Sequence, residues 1–271
     1  MAPTVVVTGS TKGLGLGLVR ALVARGANVV VSGRKDADVA SVCAELGDDK
    51  AHGRACDVSR YDDVRALWGS ARERFGRVDV WVNNAGTSNA QRPFVELPPS
   101  DIAAVVGTNL AGMMNGSRVA LEGMLAQAPH DGFHGLRGAV YNMEGFGADG
   151  ARQRGMALYG STKTALRYFT RSLVDETRDS GVVVGTTSPG IVVTELLTGV
   201  YERGEPELWR SKRRLFNFIA DPVETVAPWL ARRILDNTRP GAHLAWMTVL
   251  KGALRFFRPK YWRRDLFAKG G

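Results

Sequence analysis

Tyr159 and Lys163 stand four residues apart in the run Tyr159-Gly160-Ser161-Thr162-Lys163. On a helix, residues i and i+4 share a face about 5–6 Å apart, so a phenol and an ammonium can serve one pocket. A phenol with an ordinary pKa of about 10 donates poorly at neutral pH. A neighbouring ammonium and an oxidised nicotinamide both favour the phenolate and predict a lowered value. The pair then suits proton exchange with a carbonyl or alcohol oxygen while hydride moves at the carbon. The same spacing is common on amphipathic helices of no chemical role, so it has weight only beside a site for a hydride carrier.

Such a site is offered by Thr8-Gly9-Ser10-Thr11-Lys12-Gly13-Leu14-Gly15, which directly follows an apolar run and opens a helical pattern. Glycines there let the backbone turn tightly and approach a pyrophosphate, whose charge sits at the helix N-terminus. A dinucleotide fold that prefers NAD offers a carboxylate to the ribose at the end of its second strand. Here the residues are Ser32-Gly33-Arg34-Lys35, with no acid before Asp36. Arg34 and Lys12 can clamp a 2′-phosphate through charge-assisted hydrogen bonds, so NADP(H) is the expected cofactor. The plainer reading of both is a solvated surface charge.

The elements that must position these groups are legible in the patterning. Thr4–Thr8 is a β-branched run, as in a strand buried on both faces. A helix over Gly13–Arg25, a strand over Asn28–Ser32, a helix over Asp36–Leu46, a weaker strand ending near Cys56, a helix over Tyr61–Phe75 and a strand over Val78–Asn83 follow. Further on come a helix over Thr108–Gln127, a strand over Gly138–Met143, a long helix over Leu158–Ser180, a strand over Val182–Thr187, a helix over Pro222–Asp236 and a last strand over His243–Met247. Strand–helix repeats of this kind build a parallel α/β sheet wound on both faces. Residues 195–220 break the rhythm with aromatic and basic residues and read as a lid insertion. The 271 residues are 44% hydrophobic and show no repeat or linker, which excludes a disordered chain and predicts one domain.

Two cysteines without CxxC spacing speak against a disulfide framework, and no apolar run is long enough to span a bilayer. Together with an N-terminus lacking the marks of a signal or transit peptide, this predicts a cytoplasmic protein. His130 and His134 have i,i+4 spacing, but the intervening residues read as a loop, so no metal site is expected. Lys and Arg number 36 against 27 Asp and Glu, a net charge of +9, of which +6 falls in residues 251–271. There Lys251, Arg255 and Arg258 recur at helical spacing opposite Leu250, Ala253, Leu254 and Phe257, until Pro259 stops the pattern. That helix can lie on an anionic membrane as a peripheral contact or pack on a second subunit, while a nucleic-acid role is not expected.

The glycine run, Asn83-Asn84-Ala85-Gly86, Asn109, the Tyr159/Lys163 pair and Ser188-Pro189-Gly190 together resemble the short-chain dehydrogenase/reductase family, in its order and spacing. The resemblance implies a Rossmann-type sheet of seven parallel strands and a homo-oligomer. Tyr159 would exchange the proton, Lys163 would bind the nicotinamide ribose and lower the tyrosine pKa, and Asn109 would hold a water in the proton relay. By the same resemblance Asp57, with Val58, would contact adenine. Asn83, Ala85, Gly86, Pro189, Gly190 and Val192 would line the cleft, and Thr194 would touch the carboxamide.

One member of the family pattern is absent: no serine stands 12 to 14 residues before the tyrosine, where this chain reads Asn142-Met143-Glu144-Gly145-Phe146-Gly147. With Thr187–Leu197 and Pro222–Leu230, that stretch is similar to the chlorophyll b reductase branch of the family. The similarity implies NADPH-dependent reduction of the 7-formyl group of a chlorophyll b-like tetrapyrrole. Glu144, Phe146, Leu196, Leu197 and Tyr201 are the candidate substrate contacts, Glu144 acting if protonated in a dry pocket and otherwise an ordinary solvated loop carboxylate. Two other readings stay open, a reductase of a different lipophilic ketone or aldehyde and a non-catalytic NADPH-binding protein.

Overall fold

Thr4–Val7 forms β1, and every one of its side chains is buried. Val5 and Val7 join Leu18, Leu22, Val226 and Leu230 in one core layer, while Val6 joins Leu67, Trp68, Val119 and Val140 in the other. A strand covered by helices on both faces needs this unbroken apolar run, because polar alternation would put polar groups into one layer. Burying one such valine contributes roughly 1.5–3 kcal/mol.

The chain continues through α1 (Gly13–Val23), β2 (Asn28–Gly33), α2 (Asp36–Leu46), β3 (Ala51–Ala55), α3 (Tyr61–Phe75) and β4 (Val80–Asn83). Next, α4 (Pro99–Val106) runs through a π-turn at Gly107–Ala111 into α5 (Gly112–Leu125). After β5 (Gly138–Met143), α6 (Ala157–Glu176) and β6 (Val182–Ser188) come β7 (Val192–Val193), α7 (Glu195–Glu202), α8 (Pro206–Ile219) and β8 (Asp221–Pro222). The last elements are α9 (Val223–Asp236), β9 (His243–Ala245), α10 (Val249–Phe256) and α11 (Pro259–Arg263). This computed structural model describes residues 1–202 and 206–267, without the side chains of residues 201, 202, 206–208, 210 and 256.

Seven parallel strands lie in the order β3-β2-β1-β4-β5-β6-β9, the doubly wound parallel sheet that the patterning predicts and the seven-stranded Rossmann type that the family resemblance implies. The order reverses between β1 and β4, and in open α/β sheets ligands bind outside the carboxyl ends of strands at such a point.

One helix departs from the patterning, and the structure fills in detail elsewhere. The single helix expected over Thr108–Gln127 is two helices joined by the π-turn, where Gly112 N–H donates to Gly107 O five residues back. The expected lid insertion is helical over Glu195–Glu202 and Pro206–Ile219, and Val200, Phe216 and Ala220 give it a small core of its own. That segment is tied down by a two-residue parallel pair, Val192 opposite Asp221 and Val193 opposite Pro222, too short to leave a pattern in the sequence. The helical pattern stops before Pro259 as expected, with α10 ending at Phe256, and Pro259 itself starts α11, because a missing N–H costs nothing at the first helical position.

Candidate active site

The loop between β1 and α1 is held from the other side of the switch point. Thr8 Oγ1 accepts hydrogen bonds from Asn84 N–H and Ala85 N–H, both at 3.0 Å. The Asn84 amide in turn donates to Thr8 O at 2.8 Å and Gly9 O at 3.0 Å. Gly9 has φ +62°, and a Cβ there would stand 2.8 Å from Ala85 Cα, so only glycine lets the turn lie this close. Ser10 ties the loop to β2 by accepting from Ser32 N–H at 3.0 Å and donating to Val7 O at 2.7 Å. Asn84 was not singled out from the sequence, although its motif was, and it is the loop's main brace. Asn84→Ala strands two carbonyls and should destabilise the fold by about 1–3 kcal/mol, read as a lower denaturant midpoint at unchanged slope.

This cradle fits a dinucleotide. It presents a glycine turn with close backbone approach at a helix N-terminus, with Leu14 packed against the core. Lys12 and Arg34 are exposed beside it, and no carboxylate stands at the end of β2. Lys12 Nζ lies 2.7 Å from Glu195 Oε2 at the first residue of α7, so the glycine loop and the lid are already linked. Thr194 lies against Gly13, where a Cβ would be 3.5 Å from its methyl group. Gly190 turns at φ +71° beyond β6, and Val192 is buried. Asp57 has its carboxylate engaged by Ser59 N–H at 3.0 Å and Ser59 Oγ at 2.7 Å. Val58 is buried, with its carbonyl accepting from the Asn115 amide at 3.0 Å.

Tyr159 is the third residue of α6 and Lys163 lies one turn on, both buried where β5 runs out. A Cβ on Gly145 would stand 2.3 Å from Tyr159 Oη, so the phenol rests on a glycine. The Lys163 ammonium donates to Met143 O at 3.0 Å and sits 5.7 Å from the Tyr159 ring centroid. Burial decides both proton affinities here. It pushes the phenol up to about 12, the reverse of the lowering expected from the lysine, and pulls the ammonium down to about 8, with Glu144 opposing that fall. Desolvation penalises the charged form of each group.

Asn109 lies in the π-turn, a feature that tends to mark functional sites. Its Oδ1 accepts from Thr87 N–H at 2.8 Å, and its amide donates to Thr87 O at 2.9 Å and Thr162 Oγ1 at 3.2 Å. The side chain is therefore locked toward α6, beside Gly86. Thr162, on the turn between the tyrosine and the lysine, is a second contributor that the sequence did not reveal.

Two expected site residues have side chains engaged within the protein. Asn83 is buried, accepting from Trp81 Nε1 at 2.8 Å and donating to Ser117 Oγ at 3.0 Å and Asn142 Oδ1 at 2.8 Å. It braces β4, β5 and α5 from beneath instead of lining the cleft, because the strand's pleat points Asn83 away. Glu144 is not a solvated loop carboxylate. It is buried, with Oε1 3.6 Å from Arg167 Nε and Oε2 3.6 Å from His243 Nδ1, at a cavity of about 100 Å³ between α6 and β9. Phe146 and Leu196 are exposed, and Leu197 packs on the small core under the lid. The side chain of Tyr201, the last expected contact, lies outside the described residues.

Similarity to known proteins agrees with this arrangement. The chain is 37% identical over 264 residues to the protein named probable chlorophyll(ide) b reductase NYC1, chloroplastic, of Oryza sativa subsp. japonica, covering 90% of this chain and 49% of that protein. It thus spans about half the length of that relative. It is 32% identical over 266 residues to the protein named chlorophyll(ide) b reductase NOL, chloroplastic, of Arabidopsis thaliana, covering 93% of this chain and 72% of the other. Among solved structures, the closed form of a serine dehydrogenase complexed with NADP+ superposes with a TM-score of 0.78 at 24% identity, over 91% of this chain and 95% of that one. The family described as short chain dehydrogenase matches residues 3–204, a stretch holding the braced glycine loop, Asn109 and the Tyr159/Lys163 pair alike. The chain belongs to the short-chain dehydrogenase family.

Proposed function

We propose that the protein is an NADPH-dependent carbonyl reductase acting on the 7-formyl group of chlorophyll b or chlorophyllide b. The observation that carries the reaction class is the buried Tyr159–Lys163 pair, with the phenol resting on Gly145 and the ammonium anchored on Met143 O. A phenol held near 12 is protonated at neutral pH, the form that can give a proton to a carbonyl oxygen, and the neighbouring ammonium favours the phenolate as that proton leaves. Lys163 carries its charge below about pH 8 and compensates the phenolate left behind. Asn109, locked on Thr87 and Thr162, would hold the water that returns the proton. The reduced nicotinamide, when bound, supplies the hydride. Lys12 and Arg34 would take its 2′-phosphate, and Thr8–Gly15 with Ala85 its pyrophosphate side.

The substrate rests on two supports: the identity to relatives named chlorophyll(ide) b reductase, and Asn142-Met143-Glu144-Gly145 standing where the family serine is missing. Phe146, Leu196, Leu197 and Tyr201 would form the apolar mouth that a macrocycle needs. We take the protein to be a homo-oligomer. No helix among the described residues is long and apolar enough to cross a membrane.

Purified protein with NADPH and chlorophyllide b should yield the 7-hydroxymethyl product, followed by absorption and mass. No conversion, with turnover of another lipophilic aldehyde or ketone, would reassign the substrate. NADPH binding without turnover across such a panel would make the protein a binder. In the same assay Arg34→Ala should raise KM for NADPH about 10- to 100-fold and leave that for NADH unchanged, the effect of one charge-assisted contact.

A further inference from the structure

The basic C-terminal stripe is folded inside out. Arg255, expected on the solvent face of the helix, is 2% exposed and ion-pairs with buried Asp221, and it also donates to Phe218 O at 3.2 Å and Ile219 O at 2.9 Å. Arg264 donates to Phe218 O at 2.9 Å and lies 3.4 Å from Asp221, so two guanidiniums cap the last carbonyls of α8. Trp246 Nε1 donates to the same aspartate at 2.7 Å, and the Lys251 ammonium lies over the Trp246 ring. With its cations turned in, α10 is pinned with its apolar stripe outward. Val249 is 93% exposed, Leu250 70%, Leu254 48% and Phe257 82%, with Trp262 of α11 at 61%.

Arg258, Lys260 and Arg263 are exposed along the same stretch. The one acid of residues 251–271, Asp265, is engaged by Arg213 at 2.7 Å and Asn217 at 3.2 Å. An apolar ridge rimmed by cations is what an anionic lipid surface accepts, apolar side chains entering the headgroup boundary and cations meeting the phosphates. A two-fold contact between copies would set the same three cations against themselves, which disfavours a second chain as occupant.

We propose that the ridge of α10 and α11 docks the protein on an anionic bilayer. Because β9 is parallel to β5, α10 leaves the sheet at the end where Tyr159 sits, so docking keeps the crevice at the membrane side. The proposal does not depend on the substrate assigned above.

The test is flotation of the full chain with vesicles of phosphatidylcholine alone or mixed equally with phosphatidylglycerol. The protein should float with the mixed vesicles, less so as salt rises, and not with phosphatidylcholine alone. The Arg258→Glu, Lys260→Glu, Arg263→Glu triple variant should bind about 100-fold more weakly, roughly fivefold per cation. Leu254→Glu with Phe257→Glu should abolish flotation at unchanged thermal unfolding, and Leu254→Ser with Phe257→Ser stands in if the charged pair fails to fold. Absence of wild-type flotation, or flotation untouched by both sets of variants, overturns the proposal. So does a lipid-free dimer that dissociates in the Leu254/Phe257 variant, which would assign the ridge to a second copy.

Discussion

Tyr159→Phe should bind NADPH as tightly as the parent protein and reduce its carbonyl substrate roughly 10²- to 10⁴-fold more slowly, the range for loss of a positioned acid. The change removes one oxygen from a buried ring, and among the described residues no hydrogen bond of that hydroxyl is lost with it, so the fold should survive. Cofactor titration by fluorescence separates the two effects, and weakened binding with normal turnover would place the proton donor elsewhere. The pH dependence follows from the partner. Burial holds Lys163 at about 8, below its ordinary value, so the ammonium is present below that pH and lost above it. Reduction should therefore decline as pH rises through about 8, while the phenol, held near 12, stays protonated across the same window. Lys163→Met should flatten this decline at a uniformly lower rate.

What the sequence made legible is what repeats or alternates. The Val-rich strands, the glycine turn after β1 and the i,i+4 spacing of Tyr159 and Lys163 are local patterns, and helices α2 and α3 lie where the periodicity puts them. What it hid depends on contacts distant in the chain. Asn83 and Asn84 are chemically identical neighbours, yet one is drawn into the Trp81–Ser117–Asn142 network and the other onto the glycine loop. Only the strand's pleat tells them apart. Arg255 looked like a solvent-facing cation until its partner, Asp221, proved to lie 34 residues earlier in the chain. Glu144 carried a similar ambiguity, settled by His243 on the edge strand and Arg167 on α6.

At two of the three positions where the family's serine could stand, its absence has a steric reason, which leads to the second large effect. The family's hydroxyl would stand at position 145, 146 or 147. At 145 a Cβ would collide with Tyr159 Oη at 2.3 Å and press on Lys163 Cε at 3.2 Å. At 147 the backbone has φ +93°, and a Cβ would meet Gly160 Cα at 2.7 Å. Glycine is thus required at both positions, by the phenol at one and by the start of α6 at the other. Of the three, Phe146 is the one whose side chain is exposed, which leaves room for a change. Gly145→Ala should accordingly lower kcat about 100-fold or more, because a methyl group there must move the phenol by about an ångström and positional errors of that size are this costly. The glycine loop itself is untouched, so cofactor affinity should fall far less than kcat. Phe146→Ser, by contrast, should leave the rate within severalfold of the parent. Equal activity of Gly145→Ala and the parent protein would mean that the phenol does not rest on residue 145 during turnover, and the proton-donor geometry drawn from that contact would have to be abandoned.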